Sequence, residues 1–351
     1  MNSIPRRPLR LIVQIPCLNE VETLPLALAD IPRHIPGVDR VEVLVIDDGS
    51  TDGTAQAAQG LGVDHIVRHP HPRGLAAAFQ TGIDTALSLG ADIIVNTDGD
   101  NQYPQAEIPR LIAPILRDEA DIVIGDRQPT RIAHFSLLKR LLQGWGSWVV
   151  RLASGTLVPD ATSGFRAFSR EAALRLNLFT RYTYTLEMII QAGKKGLRTA
   201  HIPITTNPTA RESRLIHGEW NYVKRSAATI VRLYALYEPL RTFSLIGLPF
   251  VLVGAVLIGR FVFFYLFGQA EGVARYLQSV FIGGTSLIIG FLIFLFGILA
   301  DLIGANRTLL EETLYRLKRI EIEELPISRH APDRLSPDVQ RAFEADHDEK
   351  K

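Results

Sequence analysis

Two aspartates separated by one residue, Asp98 and Asp100, stand just after a short apolar run and offer the clearest chemistry in the sequence. Carboxylates this close repel each other unless a cation lies between them. Hard oxygen ligands select Mg²⁺ or Mn²⁺, ions that retain waters and take substrate phosphates as further ligands. Such an ion neutralises the charge that develops on a departing diphosphate. Gln102 adds a neutral oxygen two residues on, and Gly99 lets the chain turn tightly and a donor approach the backbone. Asp47 and Asp48 open a second cluster, Asp-Asp-Gly-Ser-Thr-Asp-Gly-Thr, with acceptor oxygens for the donor hydrogens of a nucleobase or ribose. A third is Ile15-Pro-Cys-Leu-Asn-Glu20. Taken singly, these strings are ordinary turn and helix-cap chemistry. Their order along one repeating pattern is what gives them weight.

That pattern is an alternation of strands and helices. Leu11–Ile15, Val41–Ile46 and Ile93–Asn96 are rich in β-branched residues and end in polar turns, and Ile122–Ile124 offers a further strand. Between them Val21–Asp30, Gly53–Gly60 and Leu75–Leu89 carry Ala and Leu at helical spacing. Alternation of this kind predicts crossover units and a mainly parallel, Rossmann-like α/β sheet flanked by helices. Ligands of such sheets sit at the carboxyl ends of the strands, where all three clusters fall. No Gly-x-Gly-x-x-Gly or Gly-x4-Gly-Lys-Ser/Thr string is present, which disfavours dinucleotide and ATP sites of those designs. The net charge of +1 excludes an overall basic footprint for nucleic acid. One cysteine, Cys17, excludes an internal disulfide framework, suits a reducing compartment and reads as a small packing residue beside the donor. Two prolines beside His69 and His71 favour a surface loop over a metal pair.

The character of the chain changes after Arg127. Leu138, Leu141, Leu142, Trp145, Trp148, Val149 and Leu152, with Lys139, Arg140 and Arg151 beside them, describe an amphipathic helix over about 134–152 that suits a bilayer interface or a core face. A second amphipathic stretch fills 216–242, next to the membrane. Segments 243–267 and 280–300 are long and apolar enough to span a bilayer, the second having no charge. Arg260 in the first is expected to snorkel or to face the other helix. Lys224, Arg225, Arg232 and Arg241 precede the pair and Arg307, Arg316, Lys318 and Arg319 follow it, which predicts a multi-pass cell-membrane protein with both ends cytoplasmic. The N-terminal arginines lack a following apolar core, so no signal peptide is expected. Gly247, Gly254, Gly259, Gly283, Gly284 and Gly290 permit close helix packing, including between subunits of a homo-oligomer. Residues 304–351 are expected to form a cytoplasmic tail, mobile beyond Glu321.

The strings IPCLNE, DDGSTDGT, HPRGLAAAFQTG, DGDNQY, GDR and SGFRAFSR, in this order, resemble family 2 glycosyltransferases of the GT-A fold. Within them the chain is similar to the dolichol-phosphate mannose synthase branch of polyprenyl-phosphate glycosyltransferases, over roughly residues 9–215. That resemblance implies a GT-A domain over residues 1–215, with Pro16, Leu18, Glu20 and Asp48 at the nucleotide and Gly74 near the diphosphate. It gives Asp98, Asp100 and Gln102 the metal, and Asp98 a place beside the nucleotide. Arg127 would meet the acceptor phosphate with Arg140 or Lys139, and Arg211 and Ser213 would close over the diphosphate. Glu187 lies near where related enzymes place a base, and equally fits a structural ion pair on a helix. Branch members often read Asp-Ala-Asp-Leu-Gln-His, where this chain has Gly99 and Asn101-Gln102-Tyr103. The metal ligands survive that departure, while the donor-sugar contacts are put in doubt.

The acceptor has its own chemical logic. A hydroxyl must lose its proton to a base, whereas a phosphate monoester, with a second pKa of about 6, is already largely dianionic at neutral pH. Such an acceptor needs positioning, which the planar fork of arginine supplies. The expected partners are therefore a UDP- or GDP-sugar, a polyprenyl phosphate and the membrane lipids. A processive polysaccharide synthase fits less well, since no Gln-x-x-Arg-Trp string is present, and an intact Asp98/Asp100/Gln102 set argues against a non-catalytic nucleotide-binding adaptor.

Overall fold

The computed structural model describes residues 7–128, 154–156, 158–178, 184–207, 232, 234–235, 237–267 and 277–324. The expected interfacial helix over 134–152, with Lys139 and Arg140, and the segment carrying Arg211 and Ser213 lie outside the described residues, as does most of 216–242.

Seven strands form one sheet in the order β3-β2-β1-β4-β6-β5-β7. They are β1 (Arg10–Cys17), β2 (Arg40–Asp47), β3 (His65–Arg68), β4 (Ile93–Asn96), β5 (Ile122–Asp126), β6 (Arg166–Ser169) and β7 (Thr199–Pro203). Helices α1 (Leu24–Ala29), α2 (Thr54–Gly60), α3 (Leu75–Ser88), α4 (Ile108–Leu116), α5 (Arg170–Arg175) and α6 (Tyr184–Lys194) flank it. β1, β2 and β4 are buried almost throughout because both faces of the sheet are covered, and the polar Gln14 and Glu42 within them are buried as well. Ile12, Leu44, Ile46 and Ile94 face a core shared with α3, α5 and α6, and Leu11, Val13, Val43, Val45 and Val95 face a second core with α1 and α4.

The sheet is mainly parallel, as the alternation predicts, with one exception. β6 inserts between β4 and β5 and runs antiparallel to both. Its chain therefore enters the sheet at the edge where β4 leaves it, with Asn96 opposite Arg166. Ser169 then turns the chain into α5, its side chain accepting a hydrogen bond from Ala172 N at 3.2 Å.

Two further helices, α7 (Pro239–Phe267) and α8 (Leu277–Glu324), are long and apolar enough to cross a membrane. They form an antiparallel pair in which Gly247, Gly254, Gly283 and Gly290 lie where the two helices meet. A methyl group added at Gly254 would lie 2.7 Å from Gly283 O, and one at Gly247 would lie 3.0 Å from Gly290 O. Gly259 and Gly284 have open space beside them. Arg260 is exposed on α7. The expected span over 280–300 lies in the N-terminal half of a longer helix, and residues 304–324, read from sequence as tail, continue α8 without a break. Their mixed charges conceal a helical period that only the neighbouring domain makes visible.

Candidate active site

β1 lies between β2 and β4, so the loops leaving all three strands meet at one edge of the sheet. Asn19, in the left-handed region at φ 56°, receives the second loop: Asn19 N donates to Ser50 Oγ at 2.9 Å and Thr51 N donates to Asn19 Oδ1 at 2.9 Å. Glu20 N donates to Thr54 Oγ1 at 3.0 Å, and the Glu20 carboxylate accepts from Thr23 Oγ1 at 2.7 Å. Pro16 is buried at the end of β1, while Leu18 stands 39% exposed beside it. Cys17 is buried, and burial together with the carboxylates of Glu20, Asp47 and Asp98 pushes its thiol up.

Asp47 and Asp48 are both buried. Asp47 Oδ1 accepts from Ser50 N at 2.8 Å, and its Oδ2 lies 3.1 Å from Arg68 Nε. Asp48 accepts from Arg73 N at 2.9 Å, from Gly74 N at 2.7 Å and from His69 Nδ1 at 2.7 Å. His69 Nε2 in turn lies 3.1 Å from Thr81 Oγ1 on α3. The expectation of a surface loop thus fails for His69, which is 4% exposed, and holds for His71. The prolines shape the loop, but a buried carboxylate at the end of β2 draws the imidazole inward. Gly74, at φ 95°, begins α3 with no side-chain cap, so the first N–H groups of a 14-residue helix open towards this edge.

Asp98 is partly buried and Asp100 exposed. Burial and then the charge of Asp100 push the Asp98 carboxyl up to about 7, with Arg127 opposing them. A cation placed between the two carboxylates would relieve that repulsion, and a pair of oxygen ligands suits Mg²⁺ or Mn²⁺ completed by waters and diphosphate oxygens. Among the described residues no group of three His, Cys, Asp or Glu side chains could hold a metal. The turn is held from outside: Gln102 N donates to Asp100 Oδ1 at 3.0 Å, Asn207 N donates to Gln102 O at 2.9 Å, and Asn207 Nδ2 donates to Asn101 O at 3.0 Å. Asn101 adopts φ 58°. The Gly99 departure has a physical correlate, since a methyl group there would lie 2.9 Å from Cys17 Sγ.

The string preceding β6 supplies residues that the sequence did not single out. Arg127 Nε and Nη2 donate to the two oxygens of Asp160 at 2.7 and 3.0 Å, and Nη2 also reaches Thr162 Oγ1 at 2.7 Å. Burial works against the Arg127 charge, but the paired Asp160 more than offsets it. Gly164 presses on Asp98, where an added methyl group would lie 3.0 Å from Oδ2, and its N–H donates to Tyr103 Oη at 3.0 Å. The Tyr103 ring stacks on Phe165 at 5.3 Å, and burial and the Asp98 charge push its hydroxyl up to about 12. Arg166 is fully buried and donates to the carbonyls of Ser163, Thr185 and Ala161 at 2.8, 2.8 and 2.9 Å. Burial pulls its guanidinium down to about 10. The signal for this loop was the acidic Asp160 and the polar Thr162 just upstream of Ser-Gly-Phe-Arg. Glu187 is fully buried on α6 and accepts from Gln191 Nε2 at 3.3 Å.

The site is thus an edge where a carboxylate pair, an open helix N-terminus and a clamped arginine converge. Residues 12–176 match the family described as glycosyl transferase family 2. The chain is 31% identical over 200 residues to a dolichyl-phosphate hexose transferase of Haloferax volcanii, covering 56% of this chain and 82% of the relative. It is 28% identical over 207 residues to an undecaprenyl-phosphate mannosyltransferase of Micrococcus luteus, covering 56% and 83%. The fold is shared with glucosyl-3-phosphoglycerate synthase of Mycobacterium tuberculosis, solved with Mn²⁺, UDP-glucose and phosphoglyceric acid, at a TM-score of 0.52 and 21% identity over 64% of this chain and 80% of that one. With its GT-A sheet and these relatives, the chain belongs to glycosyl transferase family 2 and is a glycosyltransferase.

Proposed function

We propose that the protein transfers a sugar from a UDP- or GDP-sugar to a polyprenyl or dolichyl phosphate at the cytoplasmic face of a membrane, inverting the anomeric centre. The observation that carries this reading is Arg127, held two-pronged by Asp160 beside the Asp98 carboxylate, on a domain joined to two apolar helices. The relatives named for dolichyl-phosphate and undecaprenyl-phosphate transfer support the acceptor class.

In this reading Pro16, Leu18, Glu20, Asp47 and Asp48 form the nucleotide cradle, with Asp48 holding the loop that presents Gly74 to the diphosphate. Asp98, Asp100 and Gln102 would hold Mg²⁺ or Mn²⁺, an ion of the kind bound in the structurally similar synthase, which neutralises diphosphate charge when bound. The acceptor phosphate oxygen forms the new bond to the anomeric carbon, and the old carbon–oxygen bond breaks with its electron pair on the nucleoside diphosphate. Because the acceptor arrives as an anion, no side chain has to take its proton. Arg127, with Lys139 or Arg140, orients that anion, and Arg211 and Ser213 close over the diphosphate. Glu187, buried against Gln191, serves as a positioning residue of α6.

The test is purified full-length protein in detergent with Mn²⁺ or Mg²⁺, a short polyprenyl phosphate and a panel of UDP- and GDP-sugars, followed by nucleoside diphosphate release. Lipid-dependent release from one donor, lost in Asp98→Ala, is expected. Release that ignores the lipid would overturn the acceptor, and no release from protein that still binds nucleotide would overturn the reaction.

A further inference from the structure

α8 is 48 residues long, about 72 Å as a helix, while the hydrocarbon of a bilayer takes about 30 Å. The uncharged run to Ala300 fills that thickness, which leaves Asp301–Glu324 extending about 36 Å beyond it. Along this extension the half-buried positions are 304, 307, 311, 315, 318 and 322. They recur every three or four residues, so they form one face of the helix.

That face meets Tyr237 at the foot of α7 and, further along, lies on the catalytic domain. The Arg307 guanidinium sits 4.7 Å over the Tyr237 ring, and its Nη2 donates to the Tyr237 hydroxyl at 2.8 Å. Glu311 pairs with Lys195 at 2.9 Å, and the same ammonium donates to Arg175 O at 2.5 Å. The Tyr315 hydroxyl donates to Glu171 at 2.9 Å while Arg175 covers its ring at 5.2 Å. Lys318 pairs with Asp84 of α3 at 2.9 Å, and Ile322 packs against the core beneath α3, α5 and α6. At the foot of α7, Glu238 pairs with Lys194, so the C-terminal end of α6 is gripped by both membrane helices. The opposite end of α6 gives Thr185 O to Arg166, the residue that holds the Asp160–Gly164 loop. An isolated surface ion pair contributes little, but these rungs combine ring contacts, half-buried charges and apolar packing. A slip of one residue along the helix would turn every rung about 100° away from its partner.

We propose that residues 301–324 form a rigid stilt that holds the active site at one height and tilt above the bilayer, favouring a phosphate carried by a membrane lipid over the same group free in water. The acceptor preference rests on the proposed reaction; the docking does not. A lipid phosphate is confined to a thin interfacial layer, so a site fixed at that layer meets it at high effective concentration. A catalytic domain loosened on its tether samples other heights and loses that advantage, while a soluble acceptor is met equally at any height.

The experiment uses the full chain in lipid nanodiscs, with a long-chain polyprenyl phosphate in the disc or a short water-soluble isoprenyl phosphate as acceptor. In Lys318→Asp combined with Tyr315→Ala, KM for the disc-borne acceptor is expected to rise about tenfold, with kcat and the soluble acceptor changed less than about twofold. The pair Lys318→Asp and Asp84→Lys is expected to recover most of the loss seen in Lys318→Asp alone. Equal losses for both acceptors, no loss for either, or no recovery in the exchanged pair would overturn the proposal. Hydrogen exchange on the wild type judges the docking apart from activity: joint protection of 301–324 and 171–175 supports it, and an unprotected 301–324 sinks it. A wild type inactive with both acceptors would overturn the reaction, and the acceptor preference with it, whatever exchange reports.

Discussion

Gly99→Ala restores the residue that branch members often carry at this position, yet in this chain it is expected to be harmful. The added Cβ would lie 2.9 Å from Cys17 Sγ, where ordinary contact begins at 3.4 Å, so the two loops must separate by about 0.5 Å. Overpacking of this kind costs about 1–3 kcal/mol, partly offset by about 0.4–1 kcal/mol from a stiffer unfolded chain. The net loss corresponds to a melting temperature lower by roughly 2–8 °C for a domain of this size. Asp98 is the preceding residue and is pressed by Gly164 from the other side, so it moves with the turn. Mn²⁺ affinity should therefore fall together with stability. Cys17→Ala removes the obstructing sulfur, and Cys17→Ala with Gly99→Ala should be no less stable than Cys17→Ala alone, a coupling of about 1–2 kcal/mol. Thermal unfolding and Mn²⁺ titration of the four proteins measure it. A Gly99→Ala protein with wild-type stability and affinity, or effects that simply add, would refute the steric argument.

Four other outcomes follow from the same contacts. Burial and the neighbouring Asp100 charge raise the Asp98 carboxyl from the usual carboxylate range to about 7, so its contribution to metal-free stability is complete below that usual range and lost as pH climbs through the raised value. Melting of the metal-free protein should therefore decline between about pH 4 and pH 7, Mn²⁺ should reverse the decline at pH 8, and Mn²⁺ affinity should weaken as pH falls below about 7. Arg166→Met leaves three buried carbonyls without a donor and should cost about 3–5 kcal/mol in denaturant unfolding, with Arg166→Lys recovering part. His69→Ala removes a donor from buried Asp48 and should weaken nucleotide binding about tenfold by calorimetry while Mn²⁺ affinity stays near wild type. Glu187→Gln keeps the contact with Gln191, so kcat with a phosphate acceptor should stay within about threefold; a loss near a thousandfold would identify a base.

The strands that carry the donor side were legible because burial on both faces leaves runs rich in β-branched residues, as in Val41–Ile46 within β2, where Glu42 is the one polar residue. β3 was not, being four half-exposed residues at the sheet edge. β6 was hidden because it opens with Arg166, a charged residue that reads as loop until three carbonyls are brought around it. The Asp-x-Asp turn needed no structure to be noticed, since two adjacent like charges require a local explanation. The partners of Arg127 and Asp48 did need one: Asp160 is 33 residues from Arg127, and His69 is 21 from Asp48. Local composition carries no information about pairings at that distance. The period of residues 304–324 was concealed because its half-buried face is lined mainly by Arg307, Glu311, Tyr315 and Lys318, with Ile322 as its one aliphatic side chain.

The reversal of β6 gives the sheet a seam. On one side β3, β2, β1 and β4 run parallel and end in the loops assigned to the nucleotide and the carboxylate pair. On the other, β6, β5 and β7 carry the Arg127 clamp. The halves meet along four residue pairs, Ile93 with Ser169 through Asn96 with Arg166, stitched further by Asn96 Nδ2 donating to Gly164 O at 2.8 Å. The ladder at this seam is short, but both side-chain cores run across it, and Gly164 of the second half presses on Asp98 and donates to Tyr103 of the first. A change on the acceptor side of the seam is therefore felt by the carboxylate pair on the donor side.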